Sequence, residues 1–152
     1  MTGTFKLGGA RCHKFPVMKQ VKTLGDYVQD YIDAARASAD SRDWHGVWSS
    51  LGMAHVLSQP LVWPHTRVHA WMLWFGLRTG NLREAFGQLL RIVLTPIGTA
   101  LGRLPVGNPG LVRYSVLEPM PIPEEAARIF ETVGVSPVGV TSSISSRSVA
   151  RT

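Results

Sequence analysis

Residues 53–72, MAHVLSQPLVWPHTRVHAWM, carry three of the five histidines of the chain within fifteen residues, two of them four apart just beyond a proline. The stretch reads as the end of one helix and the start of the next. Pro60 cannot continue a helix that reaches it, and Pro64 has the restricted backbone suited to a first helical turn. In an α-helix each residue advances about 100° around the axis. With Trp44 at zero, Trp48 falls near ~40°, Leu51 near ~−20° and His55 near ~20°, so His55 lies within an apolar stripe. Gln59 follows one turn later. On the next helix, with His65 at zero, His69 falls near ~40°, Met72 near ~−20° and Gly76 near ~20°. Val68, Leu73 and Phe75 flank that line, while Arg67 and Arg78 lie opposite. His65 and His69 are therefore expected on the packed side, and Gly76 is expected to let another helix approach closely.

Outward from this corner the pattern stays helical. LGDYVQDYIDAARASA (24–39) sets Tyr27, Tyr31, Ala34 and Ala35 on one side and Asp26, Asp30 and Asp33 on the wet side. Ser41 or Asp43 is the expected N-cap of the second helix, with Pro60 as its stop. A third helix is expected from Pro64 to Thr79, with Gly80 as terminator. A fourth is expected from Asn81 to Leu94, with Thr95-Pro96 ending or kinking it and a shorter continuation to Leu104. PVGNPG (105–110) reads as a turn cluster and LVRYSVLE (111–118) as a short extended segment. A Pro-rich lead precedes a last helix over 123–133, with acids in its first turn. The fold class is all-α: a small antiparallel bundle of four main helices plus a short C-terminal helix. Residues 1–22 are expected to form a basic, flexible arm, 23–135 the helical domain and 136–152 a disordered Ser/Thr-rich tail.

Composition narrows the function. The 152 residues suit one domain with a real core, and 17% charged against 45% hydrophobic residues excludes a disordered tail or a highly charged nucleic-acid arm. Cys12 is the single cysteine, so no intramolecular disulfide forms, which fits a reducing, cytoplasmic compartment. The net charge of +6 gathers at the start: Lys6, Arg11, Lys14, Lys19 and Lys22 all precede Asp26. Such an arm suits phosphates of nucleic acid or an anionic membrane surface, or is simply solvated. Met18 offers an internal start. Residues 1–20 lack an apolar signal core. The most apolar stretch, 85–104, contains Gln88, Arg91 and Pro96 and reads as a buried or surface-lying helix rather than a span.

The fourth helix has one narrow polar stripe, Glu84, Gln88, Arg91 and Thr95, in an otherwise apolar surface of Phe86, Leu89, Leu90, Ile92, Val93 and Leu94. The stripe is either a solvent edge, the commoner arrangement, or an inward-facing set that meets the histidines.

Two histidines at i and i+4 reach one metal ion from the same helix face, and imidazole suits Zn, Cu, Fe and Ni. His55 from the neighbouring helix would complete a three-nitrogen site with His65 and His69, leaving the fourth position to Glu84 or water. Gln59 or Gln88 would then hold the outer ring nitrogens. One inward histidine would also suit an axial role to heme. Against this stands a plainer reading, in which each imidazole bonds its own carbonyl or glutamine in the core. Glu84 has a rival role too, as the acid of a capping box over Asn81–Glu84. His45 is expected at the surface, Met53 and Met72 in the core. PVGNPG lacks any Walker or GxGxxG pattern, so a tight turn accounts for it. Trp63, Trp71, Trp74 and Phe75 read as helix packing or as the lining of a ligand pocket. The leading function is thus a metal-binding helical protein, engaged in metal handling or metal-dependent chemistry, with a homo-oligomer left open. The rivals are an interaction module docking through the basic arm and Arg-rich surface, and an enzyme with an organic substrate in a Trp-lined pocket.

The blocks AHVLSQP (54–60), HTRVH (65–69), GQLLR (87–91), PVGNPG (105–110) and PMPIPE (119–124), in that order, resemble a small bacterial family of unknown function over roughly residues 24–133. That resemblance implies site positions at His55, Gln59, His65, His69, Gln88, Arg91 and Asn108, and no activity. The resemblance implies that relatives often carry an acid three residues before the first histidine, an ExxH element familiar from di-iron bundles. Here that position is Gly52. The departure speaks against a carboxylate-bridged pair of metals and for a mononuclear site or a lost one.

Overall fold

The computed structural model describes residues 21–101, 106–115 and 118–137. Five helices and no strand occur among them: α1 (Leu24–Asp40), α2 (Trp44–Ser58), α3 (Val62–Arg78), α4 (Leu82–Ala100) and α5 (Glu124–Val133). The basic arm falls on residues outside the described ones except at 21 and 22, and so does the Ser/Thr tail beyond 137.

Helices α1, α2 and α4 begin where a side chain accepts from a free N–H of the first turn, whereas α3 and α5 start without a side-chain cap. Thr23 and Asp26 form a reciprocal capping box on α1, the Thr23 N–H donating to Asp26 at 2.7 Å and the Asp26 N–H to the Thr23 hydroxyl at 3.2 Å. Asp43, rather than Ser41, caps α2 by accepting the Gly46 N–H at 2.9 Å. Helix α3 begins two residues earlier than Pro64 suggested, because a proline within the first turn forfeits no intrahelical bond. Helix α4 runs through Pro96 to Ala100. A proline removes one rung of the ladder, and the rungs resume beyond it: the Leu101 N–H donates to the Ile97 carbonyl at 3.0 Å. Gly134, at φ 68°, ends α5 in the left-handed conformation that glycine adopts without strain.

Helix α1 packs against α2 and α3 against α4, while α2 also meets α3, and α5 closes against α1 and α2. The apolar core comes from four of the five helices. Leu24, Val28, Ile32 and Ala35 on α1 meet Val47, Leu51, Ala54 and Leu57 on α2, with Val68, Met72 and Phe75 on α3 and Ala126, Ile129 and Phe130 on α5. The inward face of α1 is thus Leu24–Val28–Ile32–Ala35. Tyr27 and Tyr31 are half-buried at its edge and Ala34 is exposed, a rotation from the expected face.

Helix α4 adds little to that apolar core; its buried side chains are Ala85, Glu84, Gln88, Arg91 and Thr95. The polar stripe faces inward, so the commoner, solvent-facing arrangement is corrected. The reason is local: Gly76 on α3 brings α4 so close that a Cβ there would stand 3.1 Å from the Ala85 nitrogen. That close crossing turns the Glu84–Gln88–Arg91 side towards the α2–α3 corner. The LVRYSVLE segment forms no strand where it is described; residues 112–114 make a turn and a bend.

Candidate metal centre

His55 on α2 and His65 and His69 on α3 are buried to within 4% of full exclusion from solvent. One nitrogen of each lies within 4.8 Å of the others. The closest approaches are between Nε2 atoms: His65 to His55 at 2.8 Å and His55 to His69 at 3.2 Å. Nitrogens of a tetrahedral zinc site with bonds of ~2.05 Å stand about 3.3 Å apart, close to the His55–His69 separation and about half an ångström wider than that of His65 and His55.

The outer ring nitrogens fix the tautomers. His55 Nδ1 is 2.7 Å from the Asn108 carbonyl, which only accepts, so Nδ1 carries the proton and Nε2 a lone pair. His69 Nδ1 is 2.6 Å from Gln88 Oε1. The orientation of that amide follows from its other end, where Gln88 Nε2 donates to Glu84 Oε1 at 2.6 Å and to the Gly110 carbonyl at 2.8 Å. His69 Nδ1 is therefore the donor, and its Nε2 also presents a lone pair. Two Nε2 lone pairs consequently face each other across 3.2 Å, and the one proton that His65 Nε2 can offer serves one of them. Converging lone pairs repel until a cation lies between them.

Protonation does not relieve this. Burial, first of all, holds the His55 imidazole well below its usual range, with His65 and His69 adding to the effect. Burial likewise pushes His65 down to about 3 and His69 to about 4, and the Arg91 guanidinium lowers all three. Near neutral pH the site is a set of neutral imidazoles, the form that ligates metals.

The third wall of the site is the loop 106–112. Gly110, at φ 76°, lies flat against the His55 ring: a Cβ there would stand 2.4 Å from His55 Cδ2. Its carbonyl accepts from Gln88 and, at 3.0 Å, from Arg91 Nη1. Arg91 also reaches the Tyr114 carbonyl at 3.2 Å. Asn108 ties the loop to itself, its Oδ1 accepting the Gly110 N–H at 2.9 Å and its Nδ2 donating to the Ser115 and Glu118 carbonyls.

The expected site residues thus divide. His55, His65 and His69 converge, and Gln88 holds the outer nitrogen of one of them. Gln59 instead clamps the loop, accepting the Gly107 N–H at 3.2 Å and donating to the Asn108 carbonyl at 3.3 Å. The backbone of Asn108 takes the place at His55 expected of a glutamine, because Gln59 lies one turn beyond the ring. Glu84 stands outside the converging set, its oxygens accepting from Gln88 and from the Val112 N–H at 3.2 Å. Nor does its carboxylate reach back to Asn81; only the other half of that box exists, with Asn81 Oδ1 accepting the Glu84 N–H at 3.1 Å. Glu84 and Arg91 are the buried charged side chains among the described residues, one of each sign.

Gly52 is buried against the same loop, where a Cβ would stand 3.3 Å from that of Pro109. A side chain at position 52 would require Pro109, the neighbour of Gly110, to give by a few tenths of an ångström. Beyond it opens a groove of about 790 Å³ lined by Trp44, Trp48, Met53, Arg83, Glu84 and Arg113. His45 is exposed as expected, and Cys12 and His13 lie outside the described residues. Phe75 is buried, but Trp63 and Trp74 are exposed at 78% and 53%, so packing does not account for them. Sequence reasoning missed Gly110 altogether; its signal was the second glycine of PVGNPG, read only as a turn. Among the described residues no helix is long and apolar enough to cross a membrane.

Neither the curated proteins nor the solved structures contain a match to this chain. A family model does match: residues 22–130 fit the one described as protein of unknown function (DUF3703), and the chain belongs to that family.

Proposed function

We propose that the protein binds one transition-metal ion through the Nε2 atoms of His55, His65 and His69. The observation that carries this reading is the pair of neutral, tautomer-fixed imidazoles that face each other with lone pairs rather than protons. His55 and His69 each hold a separate acceptor through Nδ1, yet their Nε2 atoms and that of His65 are turned towards one another. The surrounding bonds suit the same purpose. An outer N–H donated to a carbonyl oxygen fixes ring orientation and raises the basicity of the metal-facing nitrogen.

The site takes a single ion, since Gly52 offers no carboxylate for a second position. Glu84, Gln59, Gln88, Arg91 and Asn108 form the supporting shell. Imidazole ligation suits Zn, Cu or Fe, and all three are kept as candidates. Metal handling is favoured over catalysis, because the one nearby carboxylate is engaged by Gln88 and Val112 and is not poised as a base. The test is elemental analysis of protein purified without a His-tag. One equivalent of metal is expected for the wild type and none for the triple His55/His65/His69→Ala variant. Equal, near-zero metal in both after growth with added Zn, Cu and Fe would end the reading.

A further inference from the structure

Helix α4 is inverted: its polar stripe is buried and its apolar surface is open. Eight large apolar side chains between Leu82 and Leu101 are exposed, from 48% at Leu94 to 74% at Phe86. With Glu84 at zero, the buried stripe of Arg91, Thr95 and Gln88 occupies about −20° to 40°, and the exposed apolar set fills an arc of roughly 140° on the far side. Arg83, near one end, is the one charged residue of α4 within that arc. The inversion goes with the close α3–α4 crossing at Gly76, and it serves the site. Gln88 and Arg91 must face inward to hold His69 and the Gly110 loop, so the apolar remainder of the helix is forced outward.

Monomeric proteins seldom expose an apolar patch beyond about 300–600 Å². Eight large side chains exposed by about half or more of their surface along one helix make a face of the size that one partner contributes to a standard stable interface, about 800 Å². Within it Leu82, Phe86, Leu89, Val93 and Ile97 recur at intervals of three and four residues, the spacing with which one helix seam packs into another. A charged partner would find almost nothing on α4 to pair with. An anionic lipid surface draws on Lys and Arg beside the apolar face, and α4 offers Arg83 alone. An uncharged seam of this length matches a copy of itself, as a twofold interface requires.

We propose that this face is the contact surface of a homodimer, with α4 packed against α4 of a second copy and Val93 near the axis. The inference does not depend on a metal being bound.

Sedimentation of the full chain at micromolar concentration is expected to give twice the 16.7 kDa chain mass. Phe86→Glu and Val93→Glu place a charge where the fold itself leaves the side chain exposed, so the helical circular dichroism is expected to persist. The dimer dissociation constant is expected to rise on the order of 100-fold or more. Mixing Val93→Glu with Val93→Lys chains is expected to restore a dimer, which separates a lost contact from a lost fold. A monomeric wild type overturns the proposal, whether it stays free or floats with anionic vesicles. So does a dimer indifferent to both substitutions, or mixed chains that remain apart.

Discussion

His69 shows how much of the site is decided by single bonds. Its Nδ1 proton is committed to Gln88 Oε1 because the amide of Gln88 is itself oriented by two acceptors, Glu84 and Gly110. The helical spacing of His55, His65 and His69 made their common direction legible in the sequence. The tautomers were not legible, since they depend on a backbone carbonyl more than fifty positions from His55. A pH dependence follows. The folded-state values of all three imidazoles lie below the unfolded value near 6.5, with His65 at about 3 and His69 at about 4. Below about pH 6.5 the unfolded chain binds protons that the folded chain refuses, so stability rises with pH in that range. The metal-free protein is therefore expected to hold its full stability above about pH 6.5 and to lose about 2 kcal/mol for each of His65 and His69 by about pH 5, with His55 acting in the same direction. Urea midpoints of chelator-treated protein measure this. The triple alanine variant should flatten the profile. A wild-type midpoint that does not move across this range would show that the rings are not buried as neutral groups.

At the scale of elements, the helices were legible where caps and prolines mark them and the facing of α4 was not. A stripe of Glu84, Gln88, Arg91 and Thr95 has the same periodicity whether it meets water or histidines; the choice is made by α3, where Gly76 admits Ala85. The loop 106–112 was hidden for a similar reason. Its glycines look like an ordinary turn until the chain brings Gly110 against His55. Gly107 and Gly110 both take positive φ, at 78° and 76°, and each has an atom of another segment within 2.4 Å of where a Cβ would stand. Gly110→Ala combines a left-handed backbone with a clash against the His55 ring. It is expected to destabilise the fold by about 2–4 kcal/mol and to weaken metal binding at least ~10-fold. Gly80→Ala, also at positive φ but with nothing near its Cβ, is the matched control: it should cost about 1 kcal/mol of backbone strain and leave metal affinity alone. Equal metal affinity in the two variants would show that the loop does not position His55.

For the whole molecule, the buried histidine centre and the open apolar face are two sides of one helix, yet they act on stability through different variables. An ion bound only by the folded chain stabilises it by RT ln(1 + [M]/Kd), about 4 kcal/mol at a thousandfold excess over Kd. For a chain of this size that amounts to a rise in melting temperature of roughly 8–16 °C. Association through α4 instead makes the melting temperature depend on protein concentration. The two effects are expected to separate in calorimetry. His65→Ala removes one of the three proposed ligands and should abolish the metal-induced rise while the concentration dependence remains. Val93→Glu alters only the exposed side of α4 and should abolish the concentration dependence while the metal-induced rise remains. If His65→Ala kept the metal shift, the ion would be bound elsewhere, through the surface or the basic N-terminal residues. If Val93→Glu lost it, the centre would need the second copy to hold its shape, and α4 would be the element through which metal and partner sense each other.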